Sequence, residues 1–157
     1  MKRICFVCYG NICRSPMAEF IFKDLIFKYS KRYKMSCNSR ATSFEEIGND
    51  IFPQAKEVLY KNGISVERHK ASRFTIDDYN ENDIIIVMEE KNRKELLDII
   101  GMDKGNKIHK LREYNGDNND IEDPWYTGRF DLVFKEIKEG CLALFEYVES
   151  LGDIDEV

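Results

Sequence analysis

The sequence lacks the features that direct a chain to a membrane, to nucleic acid or to a repetitive assembly. It contains no apolar run of membrane-spanning length, no internal repeat and no low-complexity segment. The apolar residues near the N-terminus are interrupted by Asn11 and Arg14 before they form the core of a signal peptide, and no small-residue cleavage site follows. A net charge of -5 offers no positive excess for broad binding to nucleic acid or a membrane surface.

The five cysteines lack the even number and regular spacing of a disulfide framework. We therefore expect reduced thiols and a cytoplasmic location. Cys5 and Cys141 lie in apolar patterns and are interpreted as core residues, as is Cys37. Cys8 and Cys13 instead lie in a polar stretch that contains glycine.

The length of the chain fits one domain, spanning residues 1–157, with enough apolar content to bury a core. Apolar runs typical of strands alternate with apolar residues at helical spacing, which predicts a parallel sheet with right-handed crossovers. The predicted strands are Ile4–Val7, Ser36–Thr42, Asp83–Met88 and Lys107–Leu111; the predicted helices run from Pro16 to the Lys31–Arg32 region, around Ala55–Leu59 until Gly63, over Lys91–Ile100, and through the apolar stripe from Phe134 to Val148.

One short motif carries the chemistry of the chain. The run from Cys8 to Pro16 places a thiol, a glycine-containing loop, an arginine and the start of a helix directly after the first strand. Ligands of parallel sheets bind at the carboxyl ends of the strands, where Cys8 falls. A loop of five residues between Cys8 and Arg14 is long enough to curl round a tetrahedral oxyanion, and the helix directs its positive end at the same point.

The residue types in this loop suit nucleophilic attack on a phosphate ester. Inward N–H dipoles, the helix N-terminus and Arg14 favour the thiolate of Cys8 over the thiol. Arg14 offers a planar fork for two phosphoryl oxygens, and Ser15 is placed to donate a hydrogen bond to the sulfur. Gly10 and Asn11 are expected to adopt positive φ. The alternative is a chance cysteine and arginine at a turn between a strand and a helix.

A second group of residues lies in the polar loop before the last helix, Glu122-Asp123-Pro124-Trp125-Tyr126. Asp123, on a loop stiffened by proline, is a candidate to protonate a departing oxygen, and Trp125 and Tyr126 are candidates to flank an aryl group. Alternatively, the acid opens a turn and the two aromatic rings fill the core. Ser43 and His69 are weaker candidates, since each suits a buried polar position.

Together these residues resemble the low-molecular-weight protein tyrosine phosphatases. The run C-Y-G-N-I-C-R-S-P-M-A-E resembles the phosphate-binding loop of that family, E-D-P-W-Y resembles its general-acid loop, and the resemblance extends over essentially the whole chain. It implies an α/β fold, a three-layer sandwich whose four-stranded parallel sheet has helices on both faces. It also implies a phosphotyrosine-containing protein or a small aryl phosphate as substrate, without metal or cofactor; the oligomeric state is left open.

The resemblance also implies residue roles. Cys8 attacks phosphorus, Arg14 and the loop amides bind the oxygens, and Asp123 acts as general acid and then as general base. The substrate-binding residues would be Tyr9, Gly10, Asn11, Ile12, Cys13, Ser15, Trp125 and Tyr126, with Ser43 and His69 in a network that supports the loop. Oxidation of Cys8 to a reversible disulfide with Cys13 is consistent with a tightly curled loop and is implied by the resemblance as well; alternatively, Cys13 packs behind the loop.

Two positions depart from the pattern of the family, at the rim of the expected site. Ser72 stands where the family often has arginine, with Arg73 one residue later, and Glu45 stands where many members carry an aromatic wall.

Three other functions are alternatives. An arsenate reductase is disfavoured because no cysteine lies between Cys37 and Cys141, and an arginine phosphatase is disfavoured by the apolar Ile12. The third alternative is a phosphate-binding module without catalytic activity.

Overall fold

The computed structural model describes residues 1–30 and 34–155, with side chains described as far as residue 151. Strands and helices alternate along these residues, as the sequence predicts. The elements are β1 (Lys2–Cys8), α1 (Arg14–Tyr29), β2 (Met35–Ala41), α2 (Pro53–Lys61), α3 (Ile76–Glu81), β3 (Ile84–Val87), α4 (Glu90–Ile100), β4 (Ile108–Lys110), a 3-10 helix (Leu111–Asn115), α5 (Pro124–Thr127) and α6 (Phe130–Asp155).

All neighbouring strands pair in parallel, in the order β2-β1-β3-β4. The two central strands are apolar because both of their faces are covered: Ile4–Val7 and Ile85–Val87 are fully buried. Helices α1, α2 and α6 pack on the face that presents Ile4 and Phe6, and α3 and α4 pack on the face that presents Cys5 and Val7. The predicted α/β sandwich with four parallel strands is therefore confirmed.

Local sequence signals explain several of the helix boundaries. Pro16 lies in the first turn of α1, where a missing N–H leaves no helical hydrogen bond unmade. Gly101 ends α4 with a φ of 84°, as predicted from its position after the last apolar residue. Helix α1 ends at Tyr29, and the predicted extension to Lys31 and Arg32 lies outside the described residues.

Two short helices, α3 and α5, were not predicted from the spacing of apolar residues, and polar caps specify them instead. In α3, Thr75 accepts a hydrogen bond from the backbone N–H of Asp78, and the Asp78 carboxylate accepts from the N–H of Thr75. In α5, the cap is the carboxylate of Asp123. Both helices are too short for periodicity to reveal them.

Helix α6 crosses the 3-10 helix closely at Gly140. A Cβ atom built on this glycine would lie 2.5 Å from Cγ of the buried Leu111, so the Leu111 side chain packs on the backbone of α6 only because Gly140 has no side chain. The helix is long, but in the described part of the chain no helix combines the length and apolar character needed to cross a membrane.

Candidate active site

The loop between β1 and α1 wraps round the sulfur of Cys8. The strand ends at Cys8 at the carboxyl edge of the sheet, and the helix begins six residues later at Arg14. The backbone N–H groups of Asn11 and Ser15 point at Cys8 Sγ from 3.3 and 3.4 Å, and Ser15 Oγ lies 3.0 Å from the same sulfur. Three hydrogen-bonding groups therefore converge on one buried sulfur.

Asn11 makes the reversal of the loop. Its φ is 59°, in the left-handed region that asparagine tolerates. Its carbonyl oxygen lies 2.7 Å from His69 Nε2, which must donate the proton, and its Oδ1 accepts from the backbone N–H of Ser72 at 3.1 Å. The prediction that Gly10 also adopts positive φ is wrong: one left-handed residue suffices for the turn, and a Cβ on Gly10 would make only ordinary contacts, 3.5 Å or longer.

A line of hydrogen bonds leads from the loop into the interior. Asn11 Nδ2 donates to Ser15 Oγ at 2.7 Å and to Ser39 Oγ at 2.9 Å. Ser39 in turn donates to Glu19 Oε1 at 2.6 Å, and Lys23 Nζ donates to Glu19 Oε2 at the same distance. The line ends at a buried carboxylate on α1.

Ser43 supports the loop from the side of β2. Its backbone N–H and its hydroxyl both donate to the carbonyl oxygen of Tyr9, at 3.1 and 2.9 Å. The preceding residue, Thr42, donates its N–H to the carbonyl of Cys8 at 3.0 Å. The structure thus brings the two weaker candidates of the sequence, Ser43 and His69, onto the backbone of the loop that holds Cys8.

Arg14 is buried beneath the loop, with 2% of its side chain exposed. One guanidinium nitrogen, Nη1, donates to the carbonyl of Ile121 at 2.9 Å and lies 3.4 Å from Glu89 Oε2; the other, Nη2, lies 3.5 Å from Asp123 Oδ2. Burial alone lowers the pKa of Arg14, but the charges of Cys8, Glu89 and Asp123 outweigh it and raise that pKa. The buried Nε–H has no partner among the described residues, so it is available to an oxyanion held in the loop.

The acid loop faces the thiol across this guanidinium. Asp123 Oδ1 caps α5 by accepting the N–H of Trp125 at 3.0 Å, which leaves Oδ2 toward Arg14. The ring of Trp125 packs edge-on against Phe52 with centroids 4.8 Å apart, and it remains 51% exposed, while Tyr126 is 82% exposed. The alternative that these two rings fill the core is therefore wrong.

These elements enclose a cleft of about 100 Å³ with Cys8 in its lining. The predicted residues that border the cleft are Cys8, Tyr9, Gly10, Ile12, Cys13, Arg14, Asp123, Trp125 and Tyr126, and Glu45 and Glu46 border it as well. Two predicted substrate-binding residues, Asn11 and Ser15, are fully buried and do not border the cleft. They lie behind it, in the loop and at the start of α1. Among the side chains described, those of residues 1–30 and 34–151, no three of His, Cys, Asp or Glu are grouped as ligands for a metal ion.

A family model described as low molecular weight phosphotyrosine protein phosphatase matches residues 3–153 of the chain. The chain belongs to this family. Among its relatives, the low molecular weight protein-tyrosine-phosphatase YfkJ of Bacillus subtilis is 36% identical, with 96% of this chain and 97% of that protein aligned. The low molecular weight phosphotyrosine protein phosphatase of Gallus gallus is 35% identical over 93% of this chain and 95% of its own.

Solved structures of the phosphatase family superpose closely on the chain. The crystal structure of YfkJ gives a TM-score of 0.91 at 36% identity, with 96% of both chains covered. A structure of the YwlE arginine phosphatase of Bacillus subtilis, a mutant with a phosphorylated active-site serine, gives 0.83 at 26% identity, with 94% of this chain and 95% of that chain covered. The fold predicted from the resemblance is thus the fold of the phosphatase family.

Several residues of this phosphatase site were missed from the sequence. Glu89 contacts Arg14 and directly follows Met88, the residue after β3, so its position at the carboxyl edge of the sheet was a usable signal. Phe52 supports Trp125 but comes 73 residues earlier in the chain. Glu19 closes the quoted loop motif but was not assigned a role, and Ser39 was missed because only the pairing of β1 with β2 brings it to Asn11.

The two departures from the phosphatase pattern have different consequences. Ser72 serves the loop through its backbone, donating its N–H to Asn11 Oδ1 and accepting from the N–H of Ala41 at 2.7 Å, so its side chain is not needed there. Glu45 instead lies at the mouth of the cleft, where its Oε1 accepts a hydrogen bond from the hydroxyl of Tyr9 at 2.7 Å.

Proposed function

We propose that this protein tyrosine phosphatase hydrolyses aryl phosphomonoesters, phosphotyrosine above all, in two steps through a phosphocysteine on Cys8. Family membership and the curated relatives support the phosphatase function itself. The observation that carries the mechanism is the convergence of two backbone N–H groups and the Ser15 hydroxyl on Cys8 Sγ, in a cleft that Asp123 also borders.

In the first step, the Cys8 thiolate attacks phosphorus, forming an S–P bond while the P–O bond to the tyrosyl oxygen breaks. The electron pair of that bond goes to the leaving oxygen, and Asp123 donates its proton there, so that tyrosine departs neutral. Asp123 Oδ2 is the oxygen available for this role, because Oδ1 is engaged as the cap of α5.

In the second step, a water molecule attacks phosphorus and Asp123 accepts its proton. A new P–O bond forms, the S–P bond breaks, and orthophosphate leaves while Cys8 recovers its thiolate. The Ser15 hydroxyl stabilises the leaving thiolate in this step as it stabilises the attacking one in the first. Phosphorylation of the active-site serine in the YwlE mutant supports a covalent intermediate at the corresponding step of that enzyme.

Charge on the transferring phosphoryl group is matched by the loop and by Arg14. The free Nε–H of Arg14 is the donor that we assign to an equatorial oxygen, and the two Nη groups are held by Ile121, Glu89 and Asp123, which sets the plane of the guanidinium. The carboxylates of Glu89 and Asp123 hold the charged guanidinium of Arg14 in a buried position. This arrangement supplies the positive charge that a metal ion supplies in other phosphatases.

Two apolar side chains that border the cleft favour an aryl ester as substrate. Ile12 and Trp125 border the cleft, and both suit the faces of a phenol ring. The relation to an arginine phosphatase nevertheless makes phosphoarginine the substrate to compare directly.

The deciding experiment measures steady-state turnover on phosphotyrosine, phosphoserine and phosphoarginine peptides in the presence of EDTA. Phosphotyrosine should be hydrolysed fastest. Cys8→Ser should abolish turnover and still bind vanadate, whereas the matched variant Cys37→Ser, a partly exposed cysteine outside the cleft, should retain it. Near-normal activity in Cys8→Ser would refute the mechanism, and faster hydrolysis of phosphoarginine would refute the substrate class.

A further inference from the structure

The mouth of the cleft carries a fixed negative charge that the mechanism does not use. Glu45 is exposed, lines the cleft and accepts the hydroxyl proton of Tyr9 on Oε1. The hydrogen bond that Tyr9 donates to Glu45, together with partial burial, raises the pKa of Tyr9. Within the described residues, no hydrogen bond engages Oε2 of the same carboxylate.

The backbone holds Glu45 in register with the phosphate-binding loop. Its N–H donates to Ser43 Oγ at 3.4 Å, and Ser43 is bonded through both its N–H and its hydroxyl to the carbonyl of Tyr9. Glu45 is thus held at two points, by its backbone N–H on Ser43 and by its Oε1 on the hydroxyl of Tyr9, the residue after Cys8. A charge fixed in this way loses little conformational freedom when a partner binds.

Within the described residues, no cation forms an ion pair with this carboxylate. Lys91 Nζ lies over the ring of Tyr9, 5.5 Å from its centroid, and the Arg73 guanidinium lies over the ring of Phe44 at 4.0 Å, so each contacts an aromatic face. Neither forms an ion pair with Glu45. The neighbouring Glu46, which accepts from Asn49 Nδ2, adds a second negative charge to the lining.

Unpaired carboxylates at the entrance repel a phosphate dianion, and this repulsion is relieved when the substrate brings its own positive charge. When the phosphotyrosine ring occupies the cleft, the neighbouring side chains of the peptide lie at the mouth, beside Oε2 of Glu45. We propose that Glu45, positioned by Tyr9, determines specificity by favouring phosphotyrosine sites flanked by Lys or Arg over sites flanked by Asp or Glu. This inference rests on the proposed function and names its substrate class.

The test compares kcat/KM for three phosphotyrosine peptides of one sequence, with Lys, Ala or Glu on both sides of the phosphotyrosine. The protein should prefer the Lys peptide to the Glu peptide by about tenfold, and added salt should reduce the ratio. Glu45→Gln keeps the shape and the ability to accept from Tyr9. It should lower kcat/KM for the Lys peptide and raise it for the Glu peptide, opposite changes that a general loss of activity cannot produce.

Two further variants separate charge from position. Tyr9→Phe keeps the Glu45 carboxylate but removes the hydroxyl that holds it. Its ratio of kcat/KM for the Lys peptide to that for the Glu peptide should lie between the ratios of the wild type and Glu45→Gln. Glu146→Gln, an equal change of charge on an exposed position of α6 outside the cleft, should leave the ratio unchanged. A wild-type ratio near one, a preference for the Glu peptide, or a ratio unaltered in Glu45→Gln would overturn the inference.

Phenyl phosphate has no flanking residues, so its hydrolysis tests the proposed function separately from the proposed role of Glu45. If phenyl phosphate and the peptides are hydrolysed in a Cys8-dependent way but the peptides are not discriminated, the role of Glu45 is wrong and the function stands. If only phenyl phosphate is hydrolysed, peptide recognition is refuted. If nothing is hydrolysed, both proposals fail.

Discussion

Ser39 Oγ lies 2.6 Å from Glu19 Oε1, at the far end of a line of hydrogen bonds that begins at the Cys8 sulfur. A carboxylate only accepts, so the Ser39 proton must point at Glu19 and Ser39 Oγ must accept from Asn11 Nδ2. The second proton of that amide goes to Ser15 Oγ. The Ser15 proton then has two acceptors within reach, the Cys8 sulfur at 3.0 Å and the more distant carbonyl of Arg40 at 3.5 Å. A buried acid on α1 thus leaves the Ser15 hydroxyl able to donate to the Cys8 sulfur.

Glu19→Gln should therefore slow catalysis without touching substrate, because a glutamine amide can donate to Ser39 and reverse the line. Losing one charge-assisted hydrogen bond is worth about 1.5–3 kcal/mol, which corresponds to a fall in kcat/KM of about tenfold or more. Alkylation of Cys8 by iodoacetamide at neutral pH should slow in parallel, which reports the thiolate directly. Adding Glu19→Gln to Ser39→Ala should cost nothing further, since the line is already broken; additive losses would contradict the link.

For Asp123→Ala, the loss should depend on how much the leaving group needs a proton. Hydrolysis of phenyl phosphate should slow by about 10²–10⁴-fold, whereas an aryl phosphate with a strongly acidic phenol should slow far less. Rates for a series of substituted phenyl phosphates give this dependence as a slope. Equal losses across the series would leave Asp123 with only its observed role as the cap of α5.

Arg14→Lys should be almost as damaging as removal of the side chain. A lysine ammonium cannot occupy the positions of Nη1 and Nη2 at Ile121, Glu89 and Asp123 and also present a donor to phosphate. We expect kcat to fall by about 10²–10³-fold, with vanadate binding weakened as well. Arg129→Lys, at an exposed arginine paired with Glu122, is the matched control and should behave as wild type. Full activity in Arg14→Lys would remove Arg14 from the site.

Oxidation by peroxide should produce a Cys8–Cys13 disulfide that dithiothreitol reverses, while Cys13→Ala should recover poorly. Burial raises the pKa of the Cys13 thiol, with the nearby Cys8 adding to the effect. Because the thiolate of Cys13 must attack the sulfenic acid of Cys8, the fraction able to react grows as the pH rises toward that pKa. Disulfide formation should therefore accelerate with pH, followed by mass spectrometry of the linked peptide. Equal recovery of the wild type and Cys13→Ala, with no linked peptide, would show that Cys13 only packs behind the loop.

Gly140→Ala should destabilise the fold although alanine favours helices. The new Cβ would lie 2.5 Å from Leu111 Cγ, and overpacking of this kind costs about 1–3 kcal/mol of unfolding free energy. In a Leu111→Ala background the obstruction is gone, and the same substitution should become stabilising by about 0.5–1 kcal/mol. Urea unfolding of the four proteins measures both effects; the same sign in both backgrounds would contradict the close approach.

The sequence predicted the parts of this molecule that depend on local pattern. The apolar runs gave β1 and β3 because strands covered on both faces exclude polar residues, and Cys8 followed from the end of β1. The spacing of apolar residues did not predict α3 and α5, because these helices are marked in the sequence by their capping residues. It was also silent on Glu19 and Glu89, because a polar residue does not reveal which distant element it meets.

Phe52 has a consequence for how the enzyme moves. Its backbone N–H donates to the carbonyl of Ile12 at 2.9 Å, and its ring packs against Trp125 and stacks on Phe130. One residue thereby connects the loop that holds Cys8, the short helix α5 that Asp123 caps and the start of α6. On the proposed mechanism, we therefore expect Asp123 to stand ready beside Cys8 before substrate binds, without a lid having to close to bring it there.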